Sequence, residues 1–372
     1  MIKFFDLHAI TNSHHDEYLS AMNRVVESGW FLQGKETEHF EAQFAQYIGT
    51  EHCVAVANGL DALKLILRAY KEKGVLNDGD EIIVPANTYI ATILAITDNN
   101  LTPVLVEPTF HHLEIDSNRI EEAITPKTKA IMLVHLYGRD AYDSLIGDLC
   151  SKYGLMLFED CAQCHGAYHT FADRQQRLGS FSHAAAFSFY PGKNLGAFGD
   201  AGAVTTNDAE IAGIIRALAN YGSQQKYVFK YEGMNSRMSE VDAAVLSVKL
   251  KYLDEDNRKR QQLAAYYYEN IHNPLITLPH RIPDEKNVYH QFPVFCSRRD
   301  ELQTYLSDNG VGTLIHYPIP PHLQDCYRNG KLKHGELPIT ERIHREELSL
   351  PMNQVITLEQ AKTIVELINN FK

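Results

Sequence analysis

Cysteine is scarce in this chain, with six among 372 residues. So thin a supply does not build a disulfide scaffold. Long apolar runs are missing as well, and none approaches the length needed to span a bilayer. The opening residues, MIKFFDLHAITNSHHDEY, hold no apolar core of signal-peptide length. These absences lead to the expectation of a soluble, cytoplasmic protein with no membrane partner. Positive charge is in deficit: 35 Lys and Arg stand against 47 Asp and Glu, a formal net charge of -12. That balance disfavours general attraction to nucleic acid. An anionic ligand would need local donors instead. No internal repeat or low-complexity tract is present.

Two of the cysteines, Cys161 and Cys164, form a single C-x-x-C. A zinc site would want a second pair or nearby histidines, and a redox motif a thioredoxin-like setting. The pair reads as two ordinary thiols, and no metal is expected.

The length suits one large domain with a smaller one. From about residue 50 to 210, apolar runs alternate with helical patterns. The runs Cys53–Ala57, Glu81–Val84, Pro103–Val106, Ala130–Val134 and Leu155–Phe158 are continuous in hydrophobicity, as strands buried on both faces are. Helix-like stretches such as Leu60–Lys73 and Asp143–Tyr153 lie between them. This alternation predicts an α/β fold with a mostly parallel sheet flanked by helices. Ser239–Asn270 reads as one long helix or two in series. Pro274 and Pro279 then mark a break. Beyond them Gln291–Phe295 is strand-like, Asp300–Asp308 helical and Leu358–Asn370 a closing helix. The expected division is an N-terminal segment, 1–35, polar and irregular and packing with the small domain; a large domain, 36–245; and a smaller α/β domain, 246–372, led by the long helix.

Two segments carry candidate chemistry. Leu155–Phe158 is an apolar strand that ends in Glu159 and Asp160. In open parallel sheets ligands gather at the carboxyl ends of strands, which puts Asp160 at the mouth of the sheet. By position alone it reads equally as a solvated loop acid. The second segment is the apolar run Ala184–Tyr190 followed by PGKNLGAFGDAG, which places Lys193 among glycines. This is not a Walker loop, since Phe187 stands where its first glycine belongs and Asn194 replaces Ser or Thr. A lysine so placed suits covalent chemistry with a carbonyl. Alone it reads as an exposed loop lysine. Together the two match what pyridoxal phosphate needs: a lysine for the aldehyde and an acid against the pyridine nitrogen.

Further candidates follow the same edge. Asn58-Gly59-Leu60-Asp61 opens a helix after Cys53–Ala57, where backbone N–H groups of Gly59 and Leu60 can hold a phosphate; a plain turn is the other reading. Ser188 is a phosphate donor or a satisfied buried serine. Tyr89 is a stacking ring or a core tyrosine. Ala162 is small enough to lie under a flat ring, and Gln163 could bond a ring hydroxyl.

The motifs ANGLDAL (57–63), PANTYIAT (85–92), EDCAQCHGA (159–167), FSFYPGKNLGAFGDAG (187–202), GMNSRMSEVDAA (233–244) and HYPIPPHLQ (316–324), taken in order, resemble the sugar-nucleotide aminotransferases of the DegT/DnrJ group. The resemblance runs nearly end to end. It implies the fold-type I aminotransferase architecture and pyridoxal 5'-phosphate as cofactor. It implies Lys193 as the lysine that bonds the cofactor, Asp160 on the pyridine nitrogen and Gln163 on the ring hydroxyl. Tyr89 would stack on the ring, while Gly59, Leu60 and Ser188 would hold the phosphate. It implies a homodimer with shared active sites, in which Asn235 reaches the cofactor phosphate of the partner. Cys161 and Cys164 would be packing residues beside the cofactor. Many members start the phosphate helix Ser-Gly-Thr, whereas this chain has Asn58-Gly59-Leu60. That form, with Tyr221–Tyr227, looks like the subgroup aminating carbon 3 of dTDP-linked 3-keto-6-deoxy sugars with L-glutamate as donor, in the making of deoxyamino sugars such as those of O-antigens. Amination of carbon 4 is the alternative.

For the sugar-nucleotide end the candidates are Lys226, Tyr227, Arg237, His316 and Tyr317. His316 reads either as a donor beside the cleft or as a surface histidine of a proline-rich loop, as His322 does. Two rivals remain open. Related sugar dehydratases carry histidine in place of the lysine, and Lys193 speaks against that class. A non-catalytic regulatory protein on the same fold is the other.

Overall fold

The structure, a computed structural model, describes residues 1–172, 174–328 and 330–372. Seven strands make the central sheet: β1 (His52–Val56), β2 (Glu81–Pro85), β3 (Thr102–Val106), β4 (Thr128–Val134), β5 (Met156–Asp160), β6 (Ala184–Ser188) and β7 (Gly202–Thr206). Their spatial order is β1-β7-β6-β5-β4-β2-β3. Only β7 runs against its neighbours; the other pairings are parallel. The mostly parallel α/β sheet expected from the sequence is therefore present, with each expected strand within two residues of its reading.

Alternation within the strands explains the continuous apolar runs. Val54 and Val56 of β1 face one buried layer, while Cys53 and Ala55 face another. Ile82 and Val84 of β2 join the first layer, and Ile83 packs with Val104, Ile131 and Leu133 on the opposite side. Helices cover both faces: α2 (Lys35–Ile48), α3 (Gly59–Glu72), α4 (Ile90–Thr97), α5 (Ser144–Tyr153), α6 (Ala209–Ala219) and α7 (Glu240–Leu250). Asn58, Asp143, Asp208 and Ser239 cap four of them, each side chain accepting a first-turn N–H.

The long helical stretch is two helices, α7 and α8 (Leu253–Asn270), with a break at residues 251–252. After it come β8 (Phe292–Phe295), α9 (Arg299–Asp308), α10 (Pro338–Glu346), β9 (Glu347–Leu350) and α11 (Leu358–Asn370). β8 and β9 pair antiparallel over a separate apolar cluster that includes Leu263, Tyr267, Phe292, Leu302, Leu348 and Ile364. Gly312–Ile315 forms no strand; Val311 and Leu314 make only single bridges, to Ile2 and Ser349. β9 escapes a sequence reading because its four residues carry one charge and one hydroxyl, both buried.

The first 35 residues are not irregular. A short helix, Leu7–Asn12, precedes α1 (His15–Ser28). Tyr18, Ala21 and Val25 recur at helical spacing and bury against Ala244, Val245 and Val248 of α7. Ile2 and Phe4 instead touch the second unit, at Val311, Gly310 and His316. The division at residues 35 and 245 stays a proposal.

One buried acid fastens this arrangement. Glu240, at the start of α7, accepts the N–H groups of Gly34 (2.9 Å), Glu36 (2.9 Å) and Thr37 (3.2 Å), and the Thr37 hydroxyl. It thus caps α2 from 200 residues away in sequence, roughly counted, and satisfies donors that a helix start leaves orphaned. Glu240→Ala strands these groups, so unfolding stability is expected to fall by about 3 kcal/mol. Denaturant unfolding of the purified protein checks this, and an unchanged midpoint would contradict it.

Candidate active site

The carboxyl ends of five strands and two segments of the second unit meet at a single cavity of about 610 Å³. β1 delivers Asn58, Gly59 and Leu60; β2 delivers Thr88 and Tyr89; β4 delivers His135 and Leu136; β5 delivers Asp160, Ala162 and Gln163; β6 delivers Ser188, Tyr190 and Lys193. His290, Gln291, His316 and Tyr317 close the opposite side. This is where an open parallel sheet holds ligands.

Asp160 ends β5 between Val134 of β4 and Ala186 of β6. It is buried. Its Oδ2 accepts from the Thr92 hydroxyl (2.8 Å) and its Oδ1 from the Ala162 N–H (3.1 Å). Thr92 in turn shares a hydrogen bond with Thr88 (2.7 Å), just ahead of α4. Burial pushes the Asp160 carboxyl above its ordinary pKa, against the pull of Thr92, the Ala162 N–H and Lys193. A buried carboxylate with so little positive charge nearby is suited to receive a cationic group from a ligand.

Lys193 sits in the turn after β6, its N–H bonded to the Tyr190 carbonyl (2.8 Å). Burial draws its ammonium down to about 8, with Asp160 pulling the other way. At pH 7 about a tenth of the side chain is then the neutral, nucleophilic amine, far more than for an ordinary lysine.

The Gly59 end of the cavity is built by close backbone approach. A Cβ on Gly59 would fall 2.6 Å from Ser188 Cβ, and one on Gly202 would fall 2.4 Å from the Asn58 carbonyl carbon. Only glycine lets β1, β6 and β7 converge this tightly. Asn58 caps α3 by accepting the Asp61 N–H (2.8 Å), which leaves the Gly59 and Leu60 amides in the first turn without intrahelical acceptors. A helix start beside a serine hydroxyl fits an anion.

The donor set fits pyridoxal phosphate: an amine for an aldehyde, a buried acid for a pyridinium, and a helix start with a glycine cradle for a phosphate. Gln163 is held from both ends, its Oε1 accepting the Tyr137 N–H (2.6 Å) and its Nε2 donating to the Tyr317 hydroxyl (3.1 Å). Tyr317 lies against Tyr89, ring centres 4.8 Å apart.

Ten of the fourteen site residues anticipated from sequence, Lys193, Asp160, Gln163, Tyr89, Gly59, Leu60, Ser188, Ala162, His316 and Tyr317, line this one cavity. The remaining four do not. Lys226 and Tyr227 lie on an exposed ribbon (223–229), and Asn235 and Arg237 bond each other (2.9 Å) beside a separate small cleft. Thr92, His290 and Gln291 were not anticipated. Thr92 lay within PANTYIAT, one helical turn after Thr88, but its bond to Asp160 depends on the strand order.

Cys161, Cys164 and His135 come close enough together to suggest a metal. His135, however, spends both ring nitrogens: Nδ1 accepts the Ala141 N–H (3.0 Å), so Nε2 carries the proton and donates to Glu159 (3.0 Å). No lone pair is left for an ion, and both thiols are buried in the apolar cluster.

Residues 12–369 match the model of the DegT/DnrJ/EryC1/StrS aminotransferase family. The chain is 50% identical over 371 residues to a dTDP-3-amino-3,6-dideoxy-alpha-D-galactopyranose transaminase of Aneurinibacillus thermoaerophilus, covering 100% of this chain and 99% of that one. Its fold matches the crystal structure of S. venezuelae DesV in complex with a ketimine intermediate, with a TM-score of 0.94, 44% identity, and coverage of 99% and 97%. It also matches ntda of Bacillus subtilis with bound cofactor pmp, with a TM-score of 0.89, 31% identity, and coverage of 99% and 84%.

Proposed function

The chain belongs to the DegT/DnrJ/EryC1/StrS aminotransferase family, and on that premise we propose that it moves an amino group from L-glutamate to carbon 3 of a dTDP-linked 3-keto-6-deoxyhexose with pyridoxal 5'-phosphate as cofactor. The observation that carries the reading is the meeting of Lys193, buried Asp160 and the Gly59 helix start in one cavity. The dTDP-3-amino sugar named for the Aneurinibacillus relative supports carbon 3.

When bound, pyridoxal phosphate supplies an aldehyde for amines and a ring that takes up the electron pair left by proton removal. The chain's residues do the rest. Gly59, Leu60 and Ser188 would hold the phosphate, and Asp160 would keep the pyridine nitrogen protonated. Tyr89 and Ala162 would flank the ring, and Gln163 would bond its hydroxyl. The Lys193 Nζ would take the proton from the donor's α-carbon and return a proton on the far side of the transfer. His316 and Tyr317 face the sugar.

Incubation with glutamate and a panel of 3-keto and 4-keto dTDP-sugars tests the assignment. Amino sugar is expected from the 3-keto members; turnover confined to 4-keto members would overturn it.

A homodimer with shared sites completes the proposal. Trp30, Phe31, Tyr221, Tyr227, Val228 and Phe229 are exposed, an apolar surface of the kind a partner covers. Leu32 bridges Ser239, just past Asn235, so this surface and Asn235 are neighbours. In the dimer Asn235 is proposed to reach the partner's cofactor phosphate, and Lys226, Tyr227 and Arg237 the partner's sugar nucleotide. Mixing subunits of Lys193→Ala with subunits of Asn235→Ala is expected to restore amino transfer beyond the sum of the two alone. A mixture no better than that sum would place Asn235 in its own subunit's site or in none.

A further inference from the structure

Behind the cavity wall lies a chain of polar groups that the proposed chemistry does not use. Glu347 opens β9 and is fully buried, as is Ser349. The two Glu347 oxygens have separate tasks. Oε2 accepts the His316 backbone N–H (2.5 Å), and Oε1 meets the Ser349 hydroxyl (2.5 Å). The same hydroxyl lies 3.0 Å from His316 Nδ1. At the other end of the ring, His316 Nε2 is 3.4 Å from the Gln291 amide nitrogen, which donates to an unprotonated Nε2 and gives way to the amide oxygen when Nε2 carries the proton; both side chains line the cavity.

We propose that Glu347 and Ser349 are positioning residues that set, through a two-step proton relay, which nitrogen of His316 carries the proton toward the sugar. The inference rests on the reading of this cavity as a keto-sugar site.

The hydrogen-bond arithmetic allows only two arrangements. With Glu347 ionised, Ser349 donates its single proton to Oε1. Its oxygen then accepts from His316 Nδ1–H, so Nε2 is an acceptor toward the cavity. With Glu347 protonated on Oε1, the carboxyl donates to Ser349. Ser349 donates to Nδ1, and the ring proton sits on Nε2 as a donor. One proton gained at Glu347 moves the donor by the length of an imidazole. A keto oxygen only accepts hydrogen bonds, so the second arrangement is the one that recognises the substrate.

The surroundings place this change near neutral pH. Burial raises the Glu347 carboxyl to about 8, against Ser349, the His316 N–H and Arg299, whose guanidinium donates to the Glu347 carbonyl (3.2 Å). The Tyr137 and Tyr317 hydroxyls also face it, and burial keeps both in the neutral form. His316 itself is held neutral by burial and by Lys193, drawn down to about 4. His290, another residue of the cavity wall, is held neutral by burial, with Lys193 and Arg260 pushing the same way. Only Glu347 among these groups exchanges a proton with Ser349.

Protein labelled with ¹⁵N in the histidine rings reads the tautomer directly, with His316→Asn to assign the signals. In the wild-type protein the protonated nitrogen is expected to move from Nε2 to Nδ1 as pH rises through about 8. Glu347→Gln keeps an amide donor on Ser349 and should hold Nε2–H at every pH. Ser349→Ala should abolish the pH dependence. A wild-type His316 with one tautomer throughout, or a Glu347→Gln variant that switches as the wild type does, would overturn the proposal. In kinetics the KM for the keto sugar should rise roughly tenfold from about pH 7 to about pH 9 in the wild type relative to Glu347→Gln, with no such difference in the KM for glutamate. If the wild type turns over no keto sugar, the functional reading fails while the tautomer measurement still decides the relay.

Discussion

Lys193→Ala loses amino transfer by at least about 10³-fold and keeps its fold. In the proposed function the amine both bonds the cofactor and carries the proton between carbons, so its removal would leave neither task in place. Nothing in the packing compensates, because no other amine lies among the cavity residues. Stability should change by less than about 1 kcal/mol. Burial disfavours the Lys193 charge, so removing it relieves an unfavourable term, and the backbone turn that holds it, Lys193 N–H to the Tyr190 carbonyl, does not depend on the side chain. Rapid-mixing assays of each half-reaction and a denaturant melt check the two parts separately. Near-normal turnover would refute the assignment.

Asp160→Asn lowers turnover by roughly 10²-fold or more while cofactor binding falls much less. The amide is the same size and is tolerated by its neighbours. One end still accepts the Ala162 N–H, and the other donates to the Thr92 oxygen, since the Thr92–Thr88 pair can reverse its hydrogen-bond direction. What the amide cannot do is hold a proton on a pyridine nitrogen by opposite charge. The Gly59, Leu60 and Ser188 end of the cavity is untouched by the change. Steady-state rates and a cofactor titration distinguish the two effects. A variant with wild-type turnover and an unchanged absorption spectrum would remove Asp160 from the mechanism.

These two residues were legible in the sequence because each sits where a strand ends, and a strand end is a local signal. Apolar runs buried on both faces announced β1 to β5, and the glycines around Lys193 announced a close approach. What lay outside the sequence was everything that depends on strand order. Thr92 supports Asp160 across 68 positions, and Gly202 admits the Asn58 turn only because β7 inserts between β1 and β6. Glu347 and Ser349 sit in a four-residue strand whose polar residues point inward, a pattern that reads as loop. The N-terminal helix was missed for a different reason. Its apolar stripe is narrow, three buried residues among charged ones, and it makes sense only against the face of α7.

Borohydride reduction of the holoenzyme followed by peptide mapping tests the central claim most directly. The account predicts a phosphopyridoxyl group on the peptide that contains Lys193 and on no other. Label on a different lysine, or on none while the protein still transfers amino groups, would contradict it.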